Sequence, residues 1–405
     1  MRVALIALLL WVSVGCRPVD VVTDATDTSL WGAVWTVAEA PLVNAPAIHA
    51  THEQVMLGWV GSDVAGVHHD VVALGETGRS ERTVLPLPPR APRDSALYPA
   101  AGARRHLLWL DIADGDGRTA QLYSAVIEDT LEVFRGPLPV GEDGALCYDA
   151  LPTLDGGLWA LWNDGDATNP TLHSGFIDPT GLVLRTQPLV NTTGCPVVIA
   201  GLEDDYVLWA ADNRLRLATF LNGRLVGVRA ITSTPVLSSG DRVRAITAGA
   251  DETTLHVFWN VSGADGRSTV WTAGGAGTAS AWTEPRPLSL TAGDTPAVAE
   301  TTYNTGSADS ATLGDGIAVR WAAPLRGPTN VMPVAVVTDD GVLGVLYYAE
   351  GDAVAYQRLM TVGTLLAPPA LRTDRDRHLY LAWSEVTPGG PARLRLTSTK
   401  ALGGG

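Results

Sequence analysis

The chain has 405 residues, 46% of them hydrophobic, which is ample for a core and too many for a disordered polymer. Its formal net charge of −15 argues against general nucleic-acid binding and against docking on anionic lipid, both of which need a basic face. Lys400 is the only lysine, so a lysine nucleophile is excluded from the body of the chain, while 43 glycines and 26 prolines point to many short strands joined by tight turns.

The chain opens with Met1-Arg2 and an apolar run from Val3 to Val12, too short to span a bilayer of roughly 30 Å as a helix. The run ends in Ser13-Val14-Gly15-Cys16, small residues before a cysteine, with Ser13 where leucine is usual. This resembles the lipobox of bacterial lipoproteins. The resemblance implies a signal peptide over 1–15, lipid attachment at Cys16, and export to the cell envelope. With Arg17 in place of aspartate after the cysteine, the expected destination is the outer membrane, on its periplasmic or surface side. An ordinary cleaved signal with a chance cysteine is the alternative. Residues 16–30 are polar and aperiodic and read as a tether, leaving 31–400 as the folded domain.

From residue 55 onward a repeat emerges. Tryptophans recur at Trp59, Trp109, Trp162, Trp209, Trp259, Trp321 and Trp383, spaced 50, 53, 47, 50, 62 and 62 residues apart. The residue two before each is aliphatic or alanine (Leu57, Leu107, Ala160, Val207, Val257, Val319, Leu381). Apolar residues at period two mark a strand with a buried face. Each tryptophan strand is followed by another strand, as in 121–127, 171–177, 214–220 and 331–337. Turn signals come next, among them Thr180-Gly181 and Asn222-Gly223, and then a strand carrying a Pro-Leu pair such as Pro137-Leu138 or Pro188-Leu189. With the apolar stretch that leads into the next tryptophan, each unit has four strands, the blade of an all-β propeller.

The chain ends predict closure of the ring. Residues 392–398 read as a third strand with no fourth behind it, and the fourth is supplied by 31–37 near the start. The expected fold is therefore a β-propeller of seven four-stranded blades, closed by the N-terminal strand. A different parse of 332–360, with Tyr347 in the tryptophan's place, gives eight blades, and six is the other alternative.

Ser280-Ala281-Trp282-Thr283-Glu284-Pro285-Arg286-Pro287-Leu288, followed by Asp294-Thr295-Pro296-Ala297-Val298, resembles the blades of sialidase-like propellers. The resemblance supports the fold and no activity. That family's Asp-box is absent, and so is the motif that supplies its first catalytic arginine, so none of its catalytic residues carries over.

Carboxylates recur just after the tryptophan strands, at Asp63, Asp111, Asp164 and Asp212 among others. In a propeller those exits share one face, so the functional reading is a rim that binds a cation or a cationic ligand, and the alternative is turn chemistry. Asp114-Gly115-Asp116-Gly117 resembles part of a calcium loop without its terminal acidic ligand, and no other cofactor is expected. His68-His69-Asp70, with His49 and His52 nearby, forms a metal-like cluster that no ligand motif supports. Cys147 and Cys195, one repeat apart at equivalent places in adjacent blades, are expected to form a disulfide in an exported protein, with two buried thiols as the rival reading.

Three functions remain: a monomeric binding or scaffold module for a glycan or envelope protein, a carbohydrate-active enzyme using carboxylates near the axis, or a structural subunit of an envelope complex. The absence of any hydrolase elbow, phosphate loop or dinucleotide fingerprint favours the first. Any small-molecule pocket is expected on the face bearing the tryptophan-strand exits.

Overall fold

The second strand of each unit is apolar on both sides. In Leu158–Asn163 all six residues are buried. Leu158, Ala160 and Trp162 pack with one neighbouring set of strands, Trp159 and Leu161 with another. Such a strand has to lie in a sheet covered on both faces. When every sheet has this property and the units repeat in chain, sheets stack around an axis and the stack closes on itself.

The computed structural model describes residues 31–39, 44–64, 66–75, 78–87, 92–112, 120–141, 144–164, 166, 169–201, 203–211, 214–231, 242–262, 268–278, 282–290, 317–325, 329–349, 352–400 and 402. Their strands form seven antiparallel blades. The inner strands are Ala47–Ala50, Ala96–Pro99, Cys147–Pro152, Val197–Ile199, Arg242–Ala250, Ile317–Pro324 and Ala370–Thr373, for blades 1 to 7 in that order. Seven hydrophobic clusters fill the seven seams, one between each pair of neighbouring blades. Among the described residues no helix is long and apolar enough to cross a membrane.

The ring closes as the chain ends predict. Trp35–Ala38 pairs antiparallel with Ala392–Ser398 and supplies the outer strand of blade 7. The Gly32 amide donates to the Ser398 carbonyl at 2.8 Å. Trp31 and Val37 are buried in the seams on either side of that blade. The hairpin at Asn222-Gly223 has both residues at positive φ, 49° and 85°, a turn whose twist matches its flanking strands and which favours this residue pair.

One repeat assignment is corrected. Six of the seven tryptophans lie on second strands and are at most 2% exposed. Trp321 instead lies on the inner strand of blade 6 and lines a cavity that the inner strands of blades 1, 2, 5, 6 and 7 share. Residues 331–337, expected as a third strand, fall in the second strand Met332–Thr338, and the parse that begins a blade at 332 falls with it. Met332, Val336 and Tyr348 fill the seam toward blade 5 without a tryptophan from that strand. The alternation Val319-x-Trp321 is common to any strand with a buried face, so it could not separate inner from second strand. The spacings of 62 residues on either side were the visible sign of the irregularity.

Antiparallel pairing turns the start of each inner strand toward the end at which its second strand finishes: Ala47 faces Gly58 and Ala96 faces Leu108, each partway along the second strand, and Cys147 faces Asn163 at its last residue. These ends define the front face of the ring. The inner strands finish at the back face.

Candidate ligand-binding site

On the front face, the starts of the inner strands of blades 1, 2 and 3 surround a cavity of about 710 Å³. Its polar lining includes Asn44, Arg93, Asp94, Tyr98, Tyr148 and Asp149. Asn44 and Arg93 are exposed at the mouth, where the Asn44 side-chain amide donates to the Arg93 carbonyl at 2.6 Å. Asp94 accepts the Leu110 amide at 2.8 Å, and the Tyr148 hydroxyl lies 3.2 Å from the same carboxylate oxygen. Burial outweighs the Leu110 amide, the Tyr148 hydroxyl and the Arg93 charge, and pushes the Asp94 carboxyl up to about 6. Burial and the Asp94 charge together hold the Tyr148 hydroxyl well above its ordinary value, so it keeps its proton. Asp149 is engaged differently. It accepts the amides of Ala150 and Val198, both at 2.9 Å, and the Tyr98 hydroxyl at 3.3 Å, and so ties blade 3 to blades 2 and 4.

Cys147 lies on the cavity wall beside Tyr148 and is bonded to Cys195, with Cα atoms 5.7 Å apart. The expected disulfide is therefore present, joining blades 3 and 4 at the front face.

Of the carboxylates named from the sequence, Asp111 and Asp164 have described side chains, and each is engaged in its own blade. Asp111 is 1% exposed, and the Trp109 indole nitrogen lies 3.4 Å from its carboxylate. Asp164 stands in a turn, where it accepts the amides of Thr171 and Asp166 and lies 3.0 Å from the His173 ring nitrogen. Burial raises its carboxyl, but those hydrogen bonds prevail and hold it below the usual range. The side chain of Asp63 and the whole of Asp212 lie outside the described residues, as do Cys16 and the calcium-like stretch 114–117. In the histidine cluster, buried Asp70 takes an ion pair from Arg82 at 2.7 Å and has His68 at 3.4 Å. His69 points the other way and packs edge-on against Trp109, with ring centroids 5.0 Å apart. His49 lines a cavity at the back face.

A group the sequence reading did not single out is Asp374, Asp376 and His378, whose donor atoms lie within 4.8 Å of one another. Asp374 already accepts the amides of Asp376 and His378 at 2.9 Å and the Tyr380 hydroxyl at 3.0 Å. That is the bonding of a tight turn, though its donor set is also one a divalent cation accepts.

Asp94 and Tyr148 escape the sequence pattern because the recurring carboxylates follow the tryptophan strands, whereas these two residues stand at the starts of inner strands. The residues just before the inner strands share the same face, and Tyr148 adjoins a cysteine already singled out.

No family model and no curated protein matches the chain. Its fold is similar to solved structures. One is the polysaccharide lyase Uly1, at TM-score 0.55 and 10% identity, covering 89% of this chain and 90% of that one. Another is a PL25 ulvan lyase, at 0.54 and 7%, covering 89% and 93%. The same kind of lyase bound to -[GlcA(1-4)Rha3S]- gives 0.54 and 7%, covering 91% and 94%. At these identities the likeness shows the propeller fold alone.

Proposed function

We propose that the chain is an envelope protein, anchored through lipid on Cys16, whose propeller binds a glycan in the front-face cavity. The observation that carries this reading is the cavity's lining: a half-buried carboxylate, a protonated tyrosine, an exposed arginine and an amide converge on one space at the axis-proximal rim. Sugar hydroxyls donate to carboxylates and accept from tyrosine, amide and guanidinium groups, so this mixture suits a polyhydroxylated ligand. The solved neighbours named as polysaccharide lyases are in keeping with that ligand class. The reading is binding, because among the described residues lining the cavity the other carboxylate, Asp149, is committed to two backbone amides and a tyrosine.

One observation favours a glycoside-cleaving enzyme instead. A carboxyl at about 6 is poised for acid or base work near neutral pH.

The test is a glycan array and a chromogenic-glycoside panel on the mature protein and on Asp94→Asn. Saturable binding that the variant loses, without turnover, supports the binding reading. Turnover abolished by Asp94→Asn would establish the enzyme, and binding equal in both proteins would remove the cavity from consideration.

The same variant has a second expected effect. The folded carboxyl sits near 6 against 3.8 for the ordinary side chain, so the folded state holds more protons between about pH 4 and 6 and stability falls as pH rises through that window. Asp94→Asn is therefore expected to stabilise the fold at pH 7 by about 1–2 kcal/mol, a gain that vanishes near pH 4 in denaturant titrations.

A further inference from the structure

Of the seven tryptophans that carry the repeat, six are at most 2% exposed. Trp321 is the exception. It is half-buried, packs against the seam between blades 6 and 7, and lines a cavity of about 250 Å³. That seam already holds Tyr347 and Trp383, and the seam toward blade 5 is filled by Met332, Val336 and Tyr348. An indole that keeps open surface inside a concave space, rather than on the convex outside of the ring, is placed as the aromatic walls of ligand pockets are.

The cavity shares Ala45, Ser95, Ala96 and Tyr98 with the front-face cavity. Ser95 follows Asp94 in the chain and lines both, so the two spaces adjoin at the start of the blade 2 inner strand. Their chemistry differs. The front-face cavity offers the carboxyl groups of Asp94 and Asp149, two tyrosines and Arg93. The walls of the second are mainly apolar, with Ile48, Ile246, Ala322 and Pro324 among them, and the hydroxyls of Ser95 and Thr247 stand between. Its volume lies just under the roughly 300–1,000 Å³ that takes a drug-sized ligand, so it suits a single ring.

A pyranose ring is amphipathic. Its C–H bonds gather on the ring faces and its hydroxyls stand around the rim. The C–H bonds carry slight positive charge and the face of an indole is negative, so the two attract as they exclude water. Serine and threonine hydroxyls both donate and accept, which meets the rim of the sugar whichever way its hydroxyls turn.

We propose that Trp321 is the stacking platform of a one-ring subsite, where one sugar of the glycan held in the front-face cavity lies with its C–H face on the indole and its hydroxyls toward Ser95 and Thr247. This inference rests on the glycan reading and adds to it the residue that grips the ring. The polar front-face groups read hydroxyl positions, and Trp321 supplies apolar contact.

The test uses the full chain and the oligosaccharide that gives the strongest saturable signal on the glycan array. It is titrated calorimetrically into the wild type, Asp94→Asn, Trp321→Phe and Trp321→Ala. The expected result is a Kd raised at least about tenfold by Trp321→Ala and less than about threefold by Trp321→Phe, which keeps a flat ring. Incorporating 5-fluorotryptophan gives a readout that a purely structural tryptophan would not move. The fluorine resonance that Trp321→Phe lacks belongs to Trp321, and it should shift as the wild type is saturated. Affinity lost in Asp94→Asn but unchanged in Trp321→Ala, with a resonance that stays in place, overturns the subsite and leaves the glycan reading standing. Affinity lost in Trp321→Ala but kept in Asp94→Asn supports the subsite and removes Asp94 from the contact. No array oligosaccharide bound by the wild type overturns both. Should Trp321→Ala not fold, the fluorine shift decides, its presence supporting the subsite and its absence defeating it.

Discussion

At the scale of single residues, the buried polar groups set how the fold responds to pH. His69 is 4% exposed and neither ring nitrogen has a hydrogen-bond partner. Burial, with a smaller push from His68, lowers it to about 4. Between about pH 6.5 and 4 the unfolded chain therefore binds the extra proton, and stability is lost as pH falls through that window. The His69→Phe variant keeps an aromatic ring against Trp109 and removes the titration. Its loss of stability between pH 7 and pH 4 is expected to be smaller than the wild type's by on the order of 2 kcal/mol. Parallel urea titrations at the two pH values check this, and equal losses would exclude His69 as a contributor. Asp94 works in the opposite direction over part of the same range, so only the difference between variant and wild type isolates the histidine. The residue scale is also where the sequence was least legible. Strand alternation, which the pattern His68-His69-Asp70 already implied, sends His69 into the seam with blade 2 and leaves Asp70 with His68, but nothing local showed that Arg82 would pair with Asp70.

At the scale of elements, two links hold the ring against opening. The first is the N-terminal strand, whose hydrogen bonds to Ala392–Ser398 give blade 7 its outer edge. A chain beginning at Asn44 would leave that edge bare and remove Trp31 and Val37 from two seams. It is expected to melt many degrees lower or to aggregate, and a melting curve matching the intact domain would refute closure by this strand. The second link is the disulfide between blades 3 and 4, which bridges residues 48 apart in sequence. In the loop-closure account a bridge of that span stabilises by about 4 kcal/mol through the unfolded state. The Cys147→Ala, Cys195→Ala double variant should lose a comparable amount in chemical denaturation. Both links were legible beforehand, because each rests on counting: three strands at one end and a spare at the other, and two cysteines one period apart. Trp321 was misread at this scale, since period-two burial is the same in an inner strand as in the next one out.

At the scale of the whole molecule, the proposed lipid anchor makes a clear expectation. Cys16→Ser should move the protein from membrane to soluble fractions and remove any acyl mass, and unchanged partitioning would defeat the anchor. The propeller itself presents two mouths of different character, one holding Asp94 and Tyr148, the other His49 and Arg372. The amino-acid sequence alone determined the blade and the closure of the ring and put seven first among the blade counts it left open, and the strand pairing of blade 6 settled that count. Those follow from periodicity, and periodicity is a local property that the chain carries in its own order. Only the tertiary structure decided which residues share a cavity. Asn44, Asp94 and Tyr148 come from three blades about fifty residues apart, and nothing in the neighbourhood of any one of them signals the others. They meet because the inner strands converge on an axis, and convergence exists only once every seam has packed.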